Sequence, residues 1–158
     1  MIKRFTLTIV LLFATMQTWA QDFVDFCWQY EIISNANLTV RIVGRTCNWQ
    51  YDEITIPSSV THNGITFTVT EIGDYACFER YSDGSHYLYL NRLYHATTIN
   101  IPNTIVSIGD SAFASGQNGM SLLTINIPSS VSFIGAHAFD GCSNLTSINF
   151  NSPTPPSY

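Results

Sequence analysis

Charged residues are scarce in this 158-residue sequence, and positive charge is the scarcest. Only 11% of the residues are charged and 46% are hydrophobic, which excludes a disordered acidic tail, a collagen-like chain and a coiled coil. No lysine follows Lys3, and the later basic residues are Arg41, Arg45, Arg80 and Arg92. Because no basic stripe is present to release counterions from phosphates, we expect no nucleic-acid partner and no binding to anionic membrane surfaces.

Motifs that carry enzymatic chemistry or bind metals are also missing. The histidines and cysteines show no H-E-x-x-H, H-x-x-x-H or C-x-x-C spacing, and the sequence has no calcium loop or nucleophile elbow. Gly109-Asp110-Ser111 resembles the start of a G-D-S hydrolase block, but a repeat described below explains it completely. We therefore predict a non-enzymatic protein with no catalytic residue, no cofactor and no metal site.

Residues 1–20 have the three-part pattern of a secretory signal peptide. Lys3 and Arg4 precede an apolar run from Phe5 to Ala14, and Thr18-Trp19-Ala20 supplies the small residues before a cleavage site. The run is shorter than the roughly 20 residues of a spanning helix. We predict cleavage after Ala20, a secreted or cell-surface location and no membrane span in the mature chain. That chain has four arginines against eleven acidic residues, a net charge of −7.

An internal repeat is the main signal in the rest of the chain. The pattern I-x-I-P-x-x-[VI]-x-x-I-G-x-x-A-F begins at Ile99 and again at Ile125. An earlier copy begins at Ile54 and carries an insertion at 61–69, and the start of a further copy follows at Leu145. A second insertion occupies 81–95. The sequence thus predicts leucine-rich repeats over 51–158, with three copies and the start of a fourth.

Each copy of the pattern predicts one coil of a solenoid. Ile125-Asn126-Ile127 alternates as a strand with one buried face does, and Pro128 ends the strand because it lacks a ladder donor. Residues 131–139 return apolar side chains to the core, and Gly135 permits a turn that a branched residue would resist. One coil cannot bury its apolar face alone, so neighbouring coils must stack. The expected fold is a right-handed, mostly β solenoid of parallel strands and turns with little helix.

This form of the repeat resembles the BspA-type leucine-rich repeat proteins of the Bacteroidales and of some mucosal protists. The resemblance covers about residues 50 to 158 and is carried by the L-x-x-I-x-I opening at Leu122, the proline directly after the strand and the I-G-x-x-A-F segment. The Asn/Cys position of the commoner leucine-rich repeat is missing. The resemblance implies a protein that binds other proteins at the cell surface, such as host matrix components or neighbouring cells.

Residues 21–50 are predicted to cover the N-terminal end of the solenoid with a β-hairpin, because two apolar strands flank the turn-forming residues 34–37. Cys27 and Cys47 lie outside these strands at comparable distances from the turn. Two alternatives stay open for this pair, because four cysteines allow three pairings: a disulfide between Cys27 and Cys47, or two free, buried thiols. After Phe150 the fourth copy of the pattern ends before its I-G-x-x-A-F segment. We expect the chain either to be a fragment that ends within a repeat or to end in an unusual cap.

The second insertion is unusually aromatic for a loop, and tyrosine and arginine often supply binding energy in interfaces. An alternative is that Tyr87-Leu88-Tyr89-Leu90 is simply a strand with its leucines in the core. Polar residues also recur on one face of the repeat strands. The candidate ligand-contact residues are therefore Tyr87, Tyr89, Arg92, Asn100, Asn126 and Asn149. Two functions remain open: protein interaction or adhesion at the cell surface, and a carbohydrate-binding module that uses the Tyr-rich insertion.

Overall fold

The computed structural model describes residues 23–25, 27–46, 52–82, 87–91, 95–115, 121–152, 154 and 156–158. The side chains of 78–82 and 87–91 lie outside this description, as do the predicted signal peptide, Cys47 and Arg92. All regular elements of the described residues are β-strands. None of these residues belongs to a helix that is long and apolar enough to cross a membrane.

Thirteen strands follow one another along the described part of the chain. They are β1 (Phe23–Asp25), β2 (Trp28–Ser34), β3 (Thr39–Arg45), β4 (Glu53–Thr55), β5 (Ser59–His62), β6 (Ile65–Ile72), β7 (Phe78–Ser82), β8 (Tyr87–Asn91), β9 (Thr98–Asn100), β10 (Ser107–Ile108), β11 (Thr124–Ile127), β12 (Phe133–Ile134) and β13 (Ser147–Phe150).

Two sheets of stacked strands form the solenoid. The first sheet has the order β4-β9-β11-β13 and is parallel throughout. The second sheet runs β1-β2-β3-β6-β10-β12, with β5 on β6, and its repeat strands β6, β10 and β12 are also parallel. Each complete coil contributes one strand to each sheet, as in β9 with β10 and in β11 with β12. The predicted β-rich leucine-rich repeat solenoid is confirmed.

The hydrophobic core lies between the two sheets, and within it isoleucine and phenylalanine side chains of successive coils stack on one another. Ile99 and Ile125 are paired in the first sheet and are 1% and 0% exposed. The ring of Phe113 is also fully buried and stacks on Phe139, with ring centroids 5.5 Å apart. Cys77 holds the same position in the earlier coil and is buried there, which raises the pKa of its thiol to about 12. Cys77 is therefore a core residue rather than a reactive one.

The glycine of the I-G-x-x-A-F segment has a different role from the predicted turn. Gly135 lies outside the left-handed region, and its N–H donates to Ile108 O in the preceding coil at 2.8 Å. A Cβ at Gly135 would lie 2.5 Å from Asp110 N, so glycine is required because two coils approach closely. The left-handed residue comes two positions later, at His137 (φ 58°), and Ser111 has φ 52° in the coil before.

The N-terminal hairpin continues the second sheet. Strands β2 and β3 pair in antiparallel fashion around the turn 35–38, and β3 then pairs in parallel with β6, where Ile42 faces Ile72. On the outer surface Arg41 Nη2 lies 2.7 Å from Glu71 Oε2 and joins the hairpin to the first coil. Cys27 is buried directly before β2. Because Cys47 lies outside the described residues, its pairing with Cys27 stays a prediction.

Both insertions form antiparallel hairpins. The first comprises β5 and β6, whose turn at Asn63-Gly64 has φ values of 51° and 77°, as a two-residue hairpin turn requires. The second comprises β7 and β8, which pair from Phe78 with Asn91 to Ser82 with Tyr87. Residues 87–90 thus lie in a strand, as the alternative interpretation of this insertion held. Whether Leu88 and Leu90 face the core stays a prediction.

Candidate binding surface

The outer face of the first sheet carries a ladder of asparagines. Asn100, Asn126 and Asn149 are register partners on β9, β11 and β13. On β9 and β11 the neighbours of the asparagines are buried isoleucines of the core, so strand alternation turns Asn100 and Asn126 outward, and Asn149 follows from its register with Asn126. Asn126 and Asn149 are exposed, and Asn100 is half-buried. The structure thus brings these three predicted contact residues together in one column.

Hydrogen bonds within the ladder hold the amides in place. Asn149 Nδ2 donates to Asn126 Oδ1 at 3.0 Å, and Ser147 Oγ donates to Asn149 Oδ1 at 2.8 Å. At the other end of the column, Asn100 Nδ2 donates to Glu53 Oε1 at 2.6 Å. A ligand that binds here therefore meets side chains whose orientation is already restricted.

Two further columns lie on the N-terminal side of the asparagines, and sequence analysis did not identify them. One contains Thr98, Thr124 and Ser147, which occupy the outward position two residues before each asparagine. The sequence does contain a signal for this column, because the triplets T-I-N and S-I-N recur in the repeat strands. The other column contains Thr97, Leu123 and Thr146. These residues lie side by side in successive coils, because Leu123 N donates to Thr97 O and Thr146 N donates to Leu123 O. Leu123 is 50% exposed.

The outward positions of β9, β11 and β13, together with the residue directly before each of these strands, are called the neutral face. It consists of Thr97, Thr98, Asn100, Leu123, Thr124, Asn126, Thr146, Ser147 and Asn149, and it has no charged residue. The acidic side chain of Glu53, on β4, borders this face and accepts a hydrogen bond from Asn100 Nδ2, and Asp52 directly precedes β4. The described residues contain no group of His, Cys, Asp or Glu that could hold a metal ion.

The remaining predicted contact residues belong to the second hairpin. Tyr87 and Tyr89 lie two positions apart on β8. Arg92 lies between β8 and the described residues that resume at His95. The chain then enters β9 at Thr98, so the hairpin directly precedes the neutral face in sequence. How the tyrosine side chains are placed stays a prediction.

Comparison with known proteins supports this fold. Residues 83–155 match the family described as the BspA type leucine-rich repeat region. The pneumococcal vaccine antigen PcpA is similar in structure, with a TM-score of 0.54 and 19% identity over 85% of this chain and 39% of PcpA. A leucine-rich repeat protein from Bacteroides capillosus has a TM-score of 0.51 and 21% identity over 81% of this chain and 97% of its own. No curated protein matches the sequence.

The chain spans well under half of the length of PcpA, so the likeness concerns the repeat architecture and not the whole of that antigen. Both structural matches are below 25% identity and bear on the fold alone. The family match covers the coils that contain β9 to β13 and the hairpin strand β8. Residues 83–155 are therefore similar to the BspA-type leucine-rich repeat region, and the chain folds as a leucine-rich repeat solenoid.

Proposed function

We propose that this chain is an exported, non-enzymatic repeat protein that binds a partner protein and mediates interaction or adhesion at the cell surface. The observation that carries the proposal is an open sheet face that directly follows a Tyr-rich hairpin along the chain. Leucine-rich repeat coils build such extended surfaces because each coil adds a strand to the same sheet. Host matrix proteins and the surfaces of neighbouring cells are the partners we propose.

The hairpin supplies the side chains with the greatest binding energy. Tyrosine and arginine are enriched among the residues that dominate protein interfaces, whereas serine and threonine are under-represented. Tyr87 and Tyr89 on β8, with Arg92 shortly after, form such a set. We therefore assign the principal protein contact to these three residues.

Replacing Tyr87, Tyr89 and Arg92 together by serine is expected to weaken binding to a protein ligand at least tenfold, because the contact loses two aromatic rings and a guanidinium group. An array of matrix proteins identifies the ligand, and surface plasmon resonance measures its affinity. Tyr158→Ser is the matched control, since Tyr158 is fully exposed at 103% of its reference area. Unchanged affinity in the triple variant with an unchanged melting temperature would contradict the assignment. Loss of sugar binding instead would favour a carbohydrate-binding module.

Export is tested at the N-terminus of the secreted protein. Cleavage after Ala20 leaves Gln21 as the first residue, because the basic and apolar segments of the signal sequence end before it. Mass spectrometry of protein collected from the medium or released from the cell surface is expected to find this terminus. A mature chain that still contains Met1 or Phe5 would overturn the proposed location.

A further inference from the structure

We infer that the neutral face is a binding surface for a neutral polysaccharide chain. This inference goes beyond the proposed function, because it uses another surface and another class of ligand than the hairpin. It depends on the chemistry, spacing and charge of the outward positions of β9, β11 and β13.

The chemistry of the neutral face suits a ligand covered with hydroxyl groups. Each asparagine amide offers two donors and a carbonyl acceptor, and each threonine or serine hydroxyl both donates and accepts. A sugar hydroxyl has the same dual capacity, and it can donate to the hydroxyl oxygens of Thr97, Thr146 and Ser147, whose own protons are already donated within the protein. The face has no tryptophan, tyrosine or arginine, the residues that dominate protein interfaces. A hydroxyl-rich ligand therefore gains more from this face than a protein surface does.

The spacing of the face suits a polymer rather than a single sugar. Neighbouring strands of a sheet lie about 4.8 Å apart, and successive outward residues of one strand lie about 6.6 Å apart. Asn100, Asn126 and Asn149 therefore present the same amide once per strand in one column. A chain of repeating sugars that crosses the strands meets an equivalent set of donors and acceptors at each step, whereas one sugar uses a single set.

Two structural features reduce the cost of binding. The bonds from Asn149 Nδ2 to Asn126 Oδ1 and from Ser147 Oγ to Asn149 Oδ1 restrict the amides before a ligand arrives. Beside them Leu123 exposes half of its surface, which offers an apolar contact to the C–H groups of a sugar ring. The face thus combines polar groups of restricted orientation with an apolar contact.

Charge selects against acidic polysaccharides. The three strands carry no charged residue, and the carboxylate of Glu53, which accepts a hydrogen bond from Asn100 Nδ2 at the β4 edge of the face, adds negative charge there. The whole chain has a net charge of −5, which repels anionic polymers. Since no counterions are released on binding, affinity for the neutral chain is independent of salt.

The test uses the full chain, with soluble β-glucan, mannan and starch as neutral probes and hyaluronan as the anionic probe. Affinity electrophoresis is expected to show binding to at least one neutral probe, equal at 50 mM and 500 mM salt, and none to hyaluronan. The double variant Asn126→Ala, Asn149→Ala is expected to bind the neutral probe at least about tenfold more weakly, since it removes several hydrogen bonds. Asn103→Ala, an exposed asparagine outside the face, is the matched control and is expected to be unchanged.

A second variant distinguishes a loss of binding from a folding defect. Asn126→Asp keeps the side-chain size, removes the Nδ2 donor and is expected to weaken binding to the neutral probe as well. The Tyr87, Tyr89 and Arg92 triple variant is expected to retain polysaccharide binding, so failure of the proposed protein contact is separable from failure of this inference. The inference is overturned if no neutral probe binds. It is equally overturned if the folded double variant binds like the unchanged chain, or loses a protein ligand instead.

Discussion

Replacing Gly109 by alanine is expected to lower the free energy of unfolding by about 3 kcal/mol, because the added methyl group collides with backbone of the preceding coil. A Cβ at Gly109 would lie 2.6 Å from Asp74 N and 2.7 Å from Gly73 C. Neither atom can rotate away as a side chain can. The coils must therefore separate at the point where Gly109 N donates to Ile72 O and Asp110 N donates to Asp74 Oδ1.

Gly64→Ala is the matched control for this substitution. Gly64 has no heavy atom within 4 Å of its ideal Cβ position, so only its φ of +77° disfavours another residue there. Alanine in that left-handed conformation costs about 1 to 2 kcal/mol. Urea denaturation of both variants measures the two effects. If Gly109→Ala were no more destabilising than Gly64→Ala, close coil packing would not be the reason for glycine in the I-G-x-x-A-F segment.

Replacing Phe113 by alanine is expected to lower the free energy of unfolding by about 4 kcal/mol, through lost burial and the cavity that remains. Phe113 is 0% exposed, and its ring stacks on Phe139 with an interplanar angle of 7°. Its N–H also donates to Ala138 O at 2.8 Å, so the backbone around it is held by the next coil and collapses little. A cavity that cannot collapse gives the larger destabilisation.

Thermal unfolding of three variants tests the register of the repeat. Phe139→Ala is expected to be milder than Phe113→Ala, because Phe139 is only half-buried. Ser129→Ala, at an exposed position after β11, is expected to leave the melting temperature almost unchanged. Equal melting temperatures for the three variants would refute the assignment of these residues to core and surface.

Local chemistry was enough to predict the strands of the coils and the faces they bury. Ile125-Asn126-Ile127 alternates with the period of a strand, and Pro128 stops the ladder, so β11 needed no information from distant residues. The apolar strands on either side of residues 34–37 identified the N-terminal hairpin in the same way. The recurrence of this pattern also predicted that the coils stack, because one coil alone leaves its apolar face exposed.

The tertiary structure alone decided which groups meet between coils. Gly109 and Gly135 are needed because Asp74 and Asp110 of the preceding coils approach them closely. The N–H groups of the residues that follow these glycines donate to the carboxylates of Asp74 and Asp110, across 36 and 26 residues of sequence. No local signal reports a contact of that range, so sequence analysis assigned glycine to a turn. The threonine and serine column beside the asparagines likewise required the register of the first sheet. The sequence thus determined the coil, and packing between coils determined the reason for its glycines and the composition of its open face.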